Sequence, residues 1–101
     1  EKSFQYTYCV ADYPALDADI NLKNMIKYNF FSDHTLGYTI PLVFVTLKRA
    51  FGTDDIYIEK HVKLDDAVGP DAPFSISFKE LESLVVHAKR ITQLSLSTIT
   101  N

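Results

Sequence analysis

The chain is poor in cysteine, glycine and methionine and has no tryptophan, and each scarcity narrows what it does. A single cysteine, Cys9, makes no internal disulfide, so nothing in the sequence speaks for an oxidising compartment. Three glycines leave no G-x-G-x-x-G fingerprint and no phosphate loop. An excess of basic charge is also missing: 10 Lys and Arg against 13 Asp and Glu give a net charge of −3. That balance argues against a general affinity for nucleic acid or anionic membranes. No apolar run approaches membrane-spanning length, and the N-terminus lacks the basic-then-apolar layout of a signal peptide. An intracellular protein with neither a nucleic-acid nor a membrane partner is therefore expected. His34, His61 and His87 are scattered, with no C-x-x-C or H-x-x-x-H spacing. Asp54-Asp55 and Asp65-Asp66 lie in turns without EF-hand spacing. Neither a metal nor a cofactor is expected.

What is present reads as an ordinary globular domain. Of 101 residues, 47% are hydrophobic and 13% aromatic, enough for one core and too few residues for two. The single domain spans residues 1–101. It opens on Glu1 rather than Met, so a domain cut from a larger protein is expected.

The most regular stretch is Ser77–Ile91. Phe78, Leu81, Leu84, Val85, Ala88 and Ile91 make one apolar stripe at helical period. Ser77 is a good N-cap, Glu80 completes a capping box, and Lys89 and Arg90 complement the dipole in the last turn. Phe4–Ala11 alternates as a strand and stops at Asp12-Tyr13-Pro14. Asp17 can cap a less regular helix through about Tyr28, with Asp19 in its first turn. Asn29–Gly37 holds Ser, Asp, His and Gly and reads as a connection. Thr39–Ala50 is apolar on both sides and reads as a central strand covered on two faces. After a turn at Gly52–Asp55, Ile56–Leu64 alternates, with Ile56, Ile58, Val62 and Leu64 inward. Tyr57, Glu59, His61 and Lys63 share the opposite face, and Lys60 breaks the inward pattern. Asp65–Pro73 is a loop, and Leu94–Ile99 alternates as a last strand.

The order β-α-β-β-α-β predicts an α+β domain: an antiparallel β-sheet with two α-helices, one on each face, with a ferredoxin-like arrangement as the alternative.

The second half resembles the Src homology phosphotyrosine-binding domain. Phe78, Leu81, Leu84, Val85 and His87 reproduce the F-x-x-L-x-x-L-V-x-[HY] spacing of that family's second helix. Lys60-His61-Val62-Lys63-Leu64 is similar to its strand motif of a histidine, a basic residue and an aliphatic. The likeness covers roughly residues 42 to 90. The first half departs from the pattern: there is no opening Trp, and Phe30-Phe31-Ser32-Asp33 puts an acid where the family's phosphate-holding arginine stands. That loss removes charge-assisted hydrogen bonds of about 1.5–3 kcal/mol each. The resemblance implies a non-catalytic interaction module for signalling that binds a protein or peptide partner. Its binding face would carry His61 and Lys63, with Lys48 and Arg49 nearby; the competing reading of these four is an unremarkable solvated face.

Two other classes compete. A ferredoxin-like assembly or oligomerisation domain would expose apolar residues on its first strand. A small enzyme would need a pocket uniting a histidine, an acid and Cys9. Cys9 at mid-strand reads more simply as a small buried hydrophobe. Tyr6, Tyr8, Tyr28, Phe30 and Phe31 are either core or anchors for a partner.

Overall fold

A computed structural model describes residues 6–51, 55–64, 69 and 72–94. Its order is β1 (Thr7–Cys9), a 3-10 turn (Asp17–Asp19), α1 (Leu22–Met25), β2 (Phe30–Asp33), α2 (Thr39–Ala50), β3 (Tyr57–Lys60), β4 (Val62–Lys63), a second 3-10 turn (Ala72–Phe74), β5 (Ile76–Ser77) and α3 (Phe78–Ile91). The expected mixture of helices and strands is present, but the expected antiparallel sheet is not. β1, β2 and β3 form one sheet in that order, and β4 and β5 form another. Every pairing in both sheets is parallel. Long crossovers holding α1 and α2 separate the strands of the larger sheet, and such connections produce parallel neighbours where tight hairpins would produce antiparallel ones.

Two elements change identity. Phe30–Asp33, read from sequence as part of a connection, is the central strand, with Phe31, Ser32 and Asp33 all buried. Its polar half concealed it, because Ser, Asp and His usually mark a loop. Thr39–Ala50, read as a central strand, is a 12-residue helix. Its buried residues are Pro41, Phe44, Val45 and Lys48, spaced i, i+3, i+4 and i+7. A lysine in the fourth position hid that stripe, and half-buried Leu42 and Val43 filled the gaps with apolar residues. Pro41 sits in the first turn, where a missing N–H does no harm.

The core is Met25, Phe31 and Phe44, with Tyr8, Ile20, Ile40, Leu47, Ile56 and Ile58 packed around it. Strand alternation places Tyr8, Phe31 and Ile58 side by side beneath α2. Thr7, Phe30 and Tyr57 take the other face, where the Phe30 and Tyr57 rings stack 4.4 Å apart. The expected helix from Asp17 is only a 3-10 turn followed by the one-turn α1, which Asn21 caps through Asn24 N–H.

α3 forms as its sequence predicts. The Ser77 hydroxyl accepts from Glu80 N–H at 3.1 Å, and the Glu80 carboxylate accepts from Ser77 N–H at 3.0 Å. Leu84 is its buried anchor, whereas Phe78 and Val85 at the stripe margins are exposed. It packs on α2 and on β4 and β5. The expected strand Ile56–Leu64 breaks at His61, where the chain leaves one sheet for the other. Phe4, the turn at Gly52–Asp54, most of the loop after Leu64 and the expected last strand beyond Leu94 lie outside the described residues. No helix among the described residues is long and apolar enough to cross a membrane.

Phe31→Ala is expected to lower the unfolding free energy by about 3–5 kcal/mol, and Ser77→Ala by about 1 kcal/mol, in denaturant titrations. Lys48 offers a third check. Its side chain is buried and donates to the Ile26 carbonyl at 2.8 Å, and desolvation lowers its pKa from 10.5. The folded state therefore binds fewer protons than the unfolded state between the lowered value and 10.5, so this group's contribution to stability rises with pH across that window. Relative to Lys48→Met, the wild type should gain stability as pH rises toward 10.5; parallel stability curves would refute the burial penalty.

Candidate functional site

Parallel strands all end on the same side, and in open α/β sheets ligands bind outside those carboxyl ends. β1 ends at Cys9, β2 at Asp33 and β3 at Lys60. The residues that follow are Val10, His34 and His61. The two histidine rings meet with centroids 5.8 Å apart and planes at 44°. Phe74, fully buried, stands edge-on to both rings at 5.7 and 5.3 Å. Tyr13 lies over His34 at 4.3 Å.

Backbone bonds hold both histidines. Ala15 N–H donates to the His34 carbonyl, and Ile76 N–H donates to the His61 carbonyl, each at 2.9 Å. His34 Nδ1 lies 3.1 Å from the Val10 carbonyl oxygen. A carbonyl only accepts, so Nδ1 carries the proton and Nε2 is the acceptor of the neutral ring. Metal-ligating imidazoles almost always donate their other ring N–H to a carbonyl, carboxylate or water, as His34 does to Val10. Two imidazoles sharing one ion through bonds of about 2.1 Å hold their centroids roughly 5–6 Å apart, and the 5.8 Å of this pair matches that spacing. No group of three His, Cys, Asp or Glu among the described residues is placed to hold one, so a cation here would draw its other ligands from water or substrate.

Beside the histidines, the Ser32 hydroxyl donates to the Glu59 carboxylate at 2.7 Å. Ser32 and Glu59 pair in register at the carboxyl end of the sheet. Cys9 is exposed rather than the expected buried hydrophobe, and its Sγ lies 3.7 Å from His34 Nδ1. Because that nitrogen already carries a proton, it is no base for the thiol, and the geometry gives no nucleophile–base pair.

Of the four residues expected on one binding face, His61 is at this site. Lys63 Nζ bonds the Ala72 carbonyl at 2.8 Å, on the turn that delivers Phe74. Lys48 and Arg49 are on α2, not on a strand: Lys48 bonds the Ile26 carbonyl, and Arg49 Nη2 bonds the Leu94 carbonyl at 3.3 Å. The structure thus engages these basic side chains at separate places. Ser32 and Asp33 escaped sequence reasoning because their strand was read as a connection; His34 was read only as one of three scattered histidines, and Tyr13 only as part of the stop after the first strand. The usable signal was two phenylalanines followed at once by Ser-Asp-His-Thr, an apolar strand running into a polar end. A cavity of about 500 Å³ between α2 and α3, lined by Tyr38, Leu42, His87, Arg90, Ile91 and Leu94, shares no residue with this site.

Comparison with known proteins points the same way. Residues 2–99 match the NeuB family. The N,N'-diacetyllegionaminic acid synthase of Legionella pneumophila is 36% identical over 86 residues, covering 77% of this chain and 22% of that protein. The pseudaminic acid synthase of Helicobacter pylori is 33% identical over 90 residues, covering 81% of this chain and 25% of that protein. The crystal structure of an N-acetylneuraminic acid (sialic acid) synthetase from Leptospira borgpetersenii, in complex with citrate, superposes with a TM-score of 0.72 at 33% identity. That match covers 86% of this chain and 31% of the other. The chain therefore spans about a quarter of the curated relatives it matches. These matches overturn the likeness to a phosphotyrosine-binding domain, whose shared spacing was only that of a packing helix and one strand. The expected non-catalytic signalling module falls with it, since the relatives are synthases.

Proposed function

This chain belongs to the NeuB family, and from that premise we propose that it builds part of the active site of a synthase for a sugar acid of the sialic, legionaminic or pseudaminic kind. The observation that supports this most directly is the convergence of His34 and His61 at the carboxyl end of the parallel sheet, 5.8 Å apart.

In this reading His34 and His61 bind a divalent cation through their imidazole nitrogens. Such a cation, when bound, polarises a substrate oxygen as a Lewis acid. The Val10 carbonyl fixes the His34 tautomer and leaves the Nε2 lone pair as the ligating position of the neutral ring. The Glu59 carboxylate, oriented by the Ser32 hydroxyl, takes up or returns a proton beside the histidines. Phe74 closes the apolar side of the pair and Tyr13 covers His34. Of the four residues expected from sequence on an anion- or peptide-binding face, His61 takes a different role in this reading, as a cation ligand, while Lys48, Arg49 and Lys63 bond backbone carbonyls.

The test uses the full-length protein. His34→Ala and His61→Ala should each lower kcat/KM for sugar-acid formation by about 100-fold or more, while the melting temperature stays close to wild type. Titration with Co²⁺, followed by its visible absorption, should show one site that both variants lose. Wild-type turnover and Co²⁺ binding in the two variants would exclude the histidines from the reaction.

A further inference from the structure

Asp33 and Lys60 face each other in register at the ends of β2 and β3. Their side chains are 0% and 2% exposed and meet at 2.9 Å. Strand alternation turns them to the face opposite Ser32 and Glu59, away from the site. We propose that this buried pair is a positioning device that fixes how His34 and His61 present their rings, without touching what they bind. The proposal rests on the reading of those histidines as the reactive pair.

Stability alone does not account for the pair. Removing two charges from water offsets most of their attraction, and an apolar pair of the same volume commonly serves a core as well. An apolar pair cannot direct hydrogen bonds, and here the bonds have a pattern. Lys60 Nζ donates to Asp33 Oδ2 and to the Thr35 carbonyl. Asp33 Oδ1 accepts from Thr35 N–H at 3.0 Å and from the Thr35 hydroxyl at 2.6 Å. These bonds bracket His34 from the residue before it to the residue after it. Two of them originate on Lys60, the residue immediately before His61. One ammonium group therefore ties the backbone carrying one histidine to the backbone carrying the other, and Asp33 closes the turn between. The sequence marks the same residue, since Lys60 is the one position that breaks the inward apolar pattern of its strand.

The test is the double variant Lys60→Met with Asp33→Asn in the full-length protein, which keeps side-chain volume and removes both charges. The melting temperature should stay within a few degrees of wild type. Co²⁺ affinity and kcat should each fall about 10–100-fold, as for lost outer-shell support of metal ligands, with KM little changed. A folded double variant with wild-type Co²⁺ affinity and kcat overturns the proposal. If the double variant does not fold, Lys60→Arg decides. It keeps the charge but replaces a compact point donor with a rigid planar fork. It should fold and lose about 10-fold in Co²⁺ affinity, and wild-type affinity would overturn the proposal. Active, Co²⁺-binding His34→Ala and His61→Ala variants would instead overturn the histidine reading beneath it. Inactive histidine variants beside fully active pair variants would remove the positioning role alone.

Discussion

Phe31 packing on Phe44 and Met25 is the contact on which the rest of this structure depends. It seats the central strand β2 against α2 and so determines which face of the three-stranded sheet is core. Once that face is set, the period of two sends Phe30 and Ser32 to the other side and leaves Asp33 among buried neighbours. A one-residue slip would exchange these sets and carry Asp33 out of its pairing with Lys60. The parallel register then brings the ends of β1, β2 and β3 to a common edge. Residues as far apart in sequence as Val10, His34 and His61 become neighbours for that reason alone.

Among the described residues, buried Lys48 and the buried Lys60–Asp33 pair do different jobs. Lys48 lies in α2 with its ammonium on the Ile26 carbonyl, a lysine drawn into the core by its apolar stem. Its lowered pKa is the expected consequence of desolvation. Lys60 is as deeply buried but meets a carboxylate and a carbonyl. The first arrangement ends a short helical segment. The second precedes the two histidines at the ends of β2 and β3, on the face of the sheet opposite Ser32 and Glu59.

The family relationship gives these details a chemical setting. The relatives are synthases of sialic-acid-type sugars, and this chain corresponds to about a quarter of their length. Within that quarter, the parallel sheet gathers two imidazoles, a carboxylate and an aromatic wall at one end. A peptide-binding module has no need of such a set. The groove between α2 and α3 is lined by other residues, Leu42, Ile91 and Leu94 beside Tyr38, His87 and Arg90, and shares none with those groups.

Part of this was legible beforehand. α3, with its capping box, stripe and basic last turn, is determined by local sequence, because cap, period and dipole act within a few residues of one another. The strand character of Thr7–Cys9 and Tyr57–Lys60 was likewise readable from alternation. The helix at Thr39–Ala50 was not, because its environment covers it nearly all round and erases the amphipathic signal. Nor was the strand at Phe30–Asp33, whose polar end looks like a loop until tertiary structure buries it. Strand direction was beyond local reading altogether, since it depends on how long crossovers pack. Composition and local periodicity determined that this chain folds around an aromatic core with one strongly capped helix. Only the tertiary structure decided that its strands run parallel, and so that His34 and His61 share one site: bringing them together needs a sheet register, and register is a property of several segments at once.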